Sequence, residues 1–146
     1  MAEVNATAED FPVGEPIWTA TATLSFEDCV TFAELYDPQP MHLDAKAAQE
    51  SFFGTLVASG WQVLSLTMRL VVDAKPLGDR PLIGAELENI RILEPIKPGT
   101  KLQAIATTDQ VITTKSGKRF ALMSIKTVDA DSKAPLVVQK WRMLLT

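Results

Sequence analysis

Cysteine and histidine each occur once in the chain, as Cys29 and His42. A single cysteine cannot close an internal disulfide, and one cysteine with one histidine cannot build a Cys/His metal cluster. A disulfide scaffold and a zinc module are therefore excluded, a reducing cytoplasmic setting is expected, and neither a metal nor a redox cofactor is. Positive charge is also scarce, with 14 Lys and Arg against 18 Asp and Glu for a net charge of −4, and no basic run stands out. Nucleic acid and anionic membrane are thereby poor partners. Residues 1–16 lack an apolar core and read as a flexible N-terminal arm, neither signal peptide nor anchor. Repeats are absent, and 146 residues at 47% hydrophobic suit one domain, residues 17–146, with a core of its own.

Ile17 to Leu24 sets Trp18, Ala20, Ala22 and Leu24 against Thr19, Thr21 and Thr23, the period of a half-buried strand. Ser25 with Asp28 reads as a capping box, and Phe26, Cys29, Val30 and Ala33 then fall on one face of a short helix to about Leu35. Cys29 has no basic neighbour to lower its pKa and reads as core. A second short helix capped by Asp44 breaks at Ser51 to Gly54. A long helix from about Ala58 to Asp73 is apolar nearly all round, so it is expected to be enclosed. Four strands follow: Leu82 to Leu93 with a change of phase, Thr100 to Thr113 and Arg119 to Asp129 as a hairpin about Ser116-Gly117-Lys118, and a last strand from Val137 to Leu145. The layout is α+β, a curved antiparallel sheet wrapped around one long central helix.

Chemistry concentrates between Asp37 and Gly60. Asp37 and His42 are five residues apart, and Pro38 and Pro40 stiffen the segment between them into a rigid loop with Asp37 and Gln39 extended. A carboxylate and an imidazole held this way can share one water as base and acid. Ser59 and Gly60 sit where the long helix begins, and a helix N-terminus offers unpaired N–H groups and partial positive charge to a carbonyl or oxyanion.

The run DPQPMHLD, followed by FFGTLVASGWQ, resembles the MaoC-like hydratase/dehydratase family of the hot-dog fold, which includes (R)-specific enoyl-CoA hydratases. Its signature is aspartate, any residue, asparagine, proline, any residue, histidine, with a glycine at the start of the central helix. Asp37, Pro40, His42 and Gly60 match. Gln39 replaces the asparagine, and Ser59 stands where histidine is frequent. The resemblance implies a single hot-dog domain, Asp37 and His42 as catalytic pair, Gly60 and Ser59 at the thioester oxygen, Gln39 and Pro40 positioning the loop, and a homodimer. It implies reversible addition of water to a 2-enoyl thioester of coenzyme A or an acyl carrier. A hot-dog acyl-CoA thioesterase and a non-catalytic acyl-thioester-binding subunit are the alternatives. Tyr36, Met41, Trp61 and Met68 are candidates for an acyl tunnel or plain core, and Arg69, Lys75, Arg80, Arg91, Lys97 and Lys101 for phosphate contacts.

Overall fold

The computed structural model describes residues 3–4 and 9–146. Its elements in chain order are β1 (Glu3–Val4), β2 (Pro16–Thr23), α1 (Phe26–Tyr36), α2 (Pro40–Leu43), α3 (Ala45–Gln49), α4 (Gly60–Ala74), β3 (Ile83–Ile92), β4 (Lys101–Thr113), β5 (Arg119–Asp129) and β6 (Pro135–Leu145). The sheet is antiparallel in the order β1-β4-β5-β6-β3, with β2 beside β1 along the same edge of β4. A register shift at Asp109 moves the inward phase of β4 from Ala104 and Ala106 to Val111, which bends the sheet.

Helix α4 lies in the hollow of that bend. Leu70 and Val71 meet Met123, Ile125, Trp141 and Met143, and Ala104, Ala106 and Ala121 leave the room that a helix at sheet distance needs. A second cluster joins Val63 to Leu24, Cys29, Leu102, Ile96 and Val137, so Cys29 is core as expected. Thr67 is buried because its hydroxyl donates to Val63 O at 2.8 Å and accepts from the Thr127 hydroxyl at 2.6 Å. No helix among the described residues is long and apolar enough to cross a membrane.

Three expectations need correction. The long helix is covered on one side only: Trp61, Ser65, Arg69 and Val72 face outward, with Trp61 66% exposed, while Gln62 is buried. In β2 a register shift between Trp18 and Thr21 puts the first half of the alternation out of phase, while Ala22 and Leu24 face the core as expected. Trp18 is 49% exposed beneath the Lys133 ammonium, and Thr19 is inside, accepting from Ala104 N–H at 3.0 Å. The arm is tied down wherever it is described: Phe11 sits in the main core with the Arg80 guanidinium 5.5 Å from its ring, Asp10 pairs with Arg80, and Glu9 pairs with Arg119. Residues 1–2 and 5–8 of the expected arm lie outside the described residues.

Strand β3 has no neighbour beyond β6 among the described residues, and all ten of its residues are exposed, Leu87, Ile90 and Ile92 among them. Its bulges, at Gly84/Glu86 and Glu88/Arg91, match the phase change in its sequence.

Because Phe11 is only 6% exposed in the main cluster, Phe11→Ala should lower unfolding free energy by about 3 kcal/mol in a denaturant titration. A loss within about 0.5 kcal/mol would mean that the arm adds nothing to the core.

Candidate active site

The segment that carries the site is built by its caps. Ser25 Oγ accepts from Asp28 N–H at 3.0 Å and starts α1. Asp37 closes it with φ −151° and its N–H on Ala33 O at 2.9 Å, and Pro38 bars any continuation. Gln39 is extended, as a residue before proline should be, and Pro40 then opens α2, where a missing N–H is tolerated. Asp37 is not extended as expected but has ψ 64°, because Gln39 N–H turns back to Asp37 O at 2.7 Å across Pro38. The rigid loop expected from Asp37 to His42 is thus a tight link followed by one helical turn. That turn swings His42 inward, to 6% exposure, against the chain at Val57. Val57 N–H donates to Met41 O at 3.0 Å and Ala58 N–H to Ile96 O at 2.8 Å, locking 57–58 between the histidine turn and the segment after β3.

Four side chains converge. His42 Nδ1 lies 2.7 Å from Val57 O, and a carbonyl only accepts, so Nδ1 carries the hydrogen. Nε2 is 3.2 Å from Asp37 Oδ2. With Nδ1 donating to Val57 O, Nε2 is the ring atom left to share a proton with the carboxylate. Ser59 Oγ donates to the same Oδ2 at 2.7 Å, and Gln39 Nε2 donates to Oδ1 at 2.6 Å. Desolvation pulls the Asp37 carboxyl upward, but the Gln39 and Ser59 hydrogen bonds and the charge of His42 outweigh it and hold the group below the usual carboxylate range.

The α4 N-terminus adjoins this cluster. Ser59 is its N-cap by backbone geometry, yet its side chain caps nothing. Gln62 and Val63 N–H both reach Ser59 O, and the first two amides of the helix, those of Gly60 and Trp61, have no intrahelical acceptor. Gly60 and His42 share the wall of a cavity of about 360 Å³, otherwise lined by Met41, Phe53, Val57, Ala58, Val63 and the stretch from Ile92 to Ile96. A Cβ on Gly60 would fall inside van der Waals contact with Ile92 Cδ1, so glycine is what lets β3 close on the helix start.

Asp37, His42, Gln39, Ser59 and Gly60 are thus brought together, while Pro40 acts through the backbone. Asp37, Gln39 and Ser59 are not part of the cavity wall, but Asp37 lies 3.2 Å from Nε2 of His42, which is, and 16% of its side chain stays exposed. The Ser59 hydroxyl, expected at the thioester oxygen, is engaged by Asp37 instead. Among the tunnel candidates Met41 lines the cavity, Met68 packs against the core, and Tyr36 and Trp61 are exposed and do neither. None of the six basic candidates lines it, and Arg69, Lys75 and Arg80 pair with Asp73, Asp79 and Asp10. Phe53 and Ile92 to Ile96 were not foreseen, because a wall assembled across distant segments leaves no local period.

Gly60→Ala should narrow this cavity and push Ile92 aside. A double-mutant cycle with Ile92→Val should return a coupling of about 0.5 kcal/mol or more in stability, the shorter side chain relieving the added methyl. Additive effects would show that the two residues do not touch in solution.

The sequence matches the family described as MaoC like domain over residues 8–129. Protein MaoC of Klebsiella aerogenes is 40% identical over 101 residues, covering 68% of this chain and 29% of that protein, so the match spans less than a third of that relative. The crystal structure of a MaoC-like dehydratase from Rhodospirillum rubrum has TM-score 0.85 and 30% identity over 93% of each chain. An (R)-hydratase from A. caviae involved in PHA biosynthesis has TM-score 0.74 over 95% of this chain and 100% of that one; at 20% identity this is a likeness of fold. By the extent of the family match and the shared architecture, the chain belongs to the MaoC-like dehydratase family of hot-dog proteins.

Proposed function

We propose that the chain is a hydro-lyase that adds water reversibly across the 2,3-double bond of an enoyl thioester of coenzyme A or an acyl carrier, giving the 3-hydroxyacyl thioester. The observation that carries this reading is the His42–Asp37 contact at 3.2 Å, with His42 turned by Val57 O toward the cavity that Gly60 also lines. In the ion-paired state the dyad holds a base and an acid at once. Asp37 takes a proton from water as its oxygen bonds to C3, His42 gives its Nε2 proton to C2, and the Gly60 N–H steadies the enolate oxygen formed between. The proton on Asp37 then passes back to His42 across their contact, restoring the starting state. The largely apolar cavity wall suits an acyl chain.

The partner best suited to the open edge is a second copy of the chain. Apolar side chains along the open edge of a sheet are a standing hazard unless covered, and antiparallel pairing of β3 with itself would cover them by symmetry. Sedimentation should give twice the chain mass, and Leu87→Asp should halve it. A wild-type monomer at micromolar concentration would refute the dimer.

Incubation with short and medium enoyl-CoA thioesters should bleach the conjugated thioester without freeing thiol. Asp37→Asn and His42→Ala should each lower kcat about a hundredfold, and the double variant should be scarcely worse, since groups serving one proton circuit are non-additive. Thiol release would instead identify a thioesterase, and binding without either change a non-catalytic subunit.

A further inference from the structure

We infer that Ser59 is a positioning residue, which ties the Asp37 carboxylate to the first turn of α4 by diverting its hydroxyl from helix capping to the acid. An N-cap serine ordinarily accepts from the N–H groups two or three residues on. Ser59 has the backbone for that role, φ −61° and ψ 133°, and does not perform it. Its side chain is fully buried, and its single hydroxyl proton goes to Asp37 Oδ2, 22 residues earlier in the chain. A carboxylate is the stronger acceptor, so the hydrogen bond is charge-assisted and directional.

The diversion does two things. It fixes the Asp37 carboxylate plane together with Gln39, which holds the other oxygen at 2.6 Å, so the oxygen facing His42 cannot rotate away. It also joins the acid to the helix start through one residue, because the next peptide N–H is that of Gly60 on the cavity wall. The separation between base and amide donor is then set by Ser59 rather than by the flexibility of two separate segments. Naming Asp37 the base rests on the proposed hydration, whereas the Ser59–Asp37 link stands on geometry alone.

Ser59→Ala removes the hydroxyl and nothing else. The expected result is a fall in kcat of about tenfold with KM within about twofold, because Ser59 does not touch substrate. Losing a donor to the charged form should also move the Asp37 titration upward, and the acid limb of kcat/KM with it. Ser59→Thr, which keeps the hydroxyl, should restore both where it folds. The carboxyl titration of Asp37, followed by carbon NMR in wild type and Ser59→Ala, reads the link with no substrate present. A lowered Tm with the Asp37 titration and the acid limb unmoved would overturn the inference, leaving Ser59 a packing residue. Should wild type hydrate no enoyl thioester, the proposed function falls, and the NMR titration still decides the role of Ser59.

Discussion

The hydrogen bond from His42 Nδ1 to the carbonyl of Val57 is the constraint on which the site depends. A neutral imidazole has one donor and one acceptor, and fixing the donor on a buried carbonyl leaves Nε2 as the atom turned to Asp37. That carbonyl is itself immobile, because the adjoining backbone groups are bonded to Met41 and Ile96. The ring orientation is therefore inherited from the backbone, and so from the packing of α2 against 57–58. Buried carbonyls need a partner as much as imidazoles do, so the same bond satisfies the buried carbonyl and sets the ring.

Asp37 shows the opposing demand. Its two oxygens accept from an amide and a hydroxyl and face the His42 ring, an arrangement that offsets the penalty of partial burial and holds the group below the usual carboxylate range. The same donors make it a weaker base than a bare carboxylate in an apolar pocket. A dyad of this kind favours geometry over intrinsic basicity, which suits the proposed hydration, whose proton has a short way to go and a fixed place to land.

Local chemistry made much of this legible in the sequence. The caps at Ser25 and Asp44, the hairpin turn at Ser116-Gly117-Lys118 and the helix start at Gly60 follow from side chains acting within a few residues of themselves, and each is where the sequence puts it. The spacing of Asp37, Pro40 and His42 belongs to the same class. What failed was long-range. Trp18 points outward because of a bulge set by β4, and Phe11 is core because Leu77 and the far end of the sheet are waiting for it. Trp61 is open because the sheet covers one side of α4 only. The cavity wall is contributed by residues fifty positions apart, as Met41 and Ile92 show, and no pattern within either segment announces the other.

Ile92 belongs at once to the outermost strand and to the lining of the cavity, where it closes over Gly60. Its side chain therefore has two boundaries, one set by whatever fills the interior and one by whatever lies along the rim of the sheet. Pressure on either is felt at the other through a single rotamer, since neighbouring atoms at van der Waals contact give way only together. The volume of the cavity is thus set in part from the periphery of the sheet.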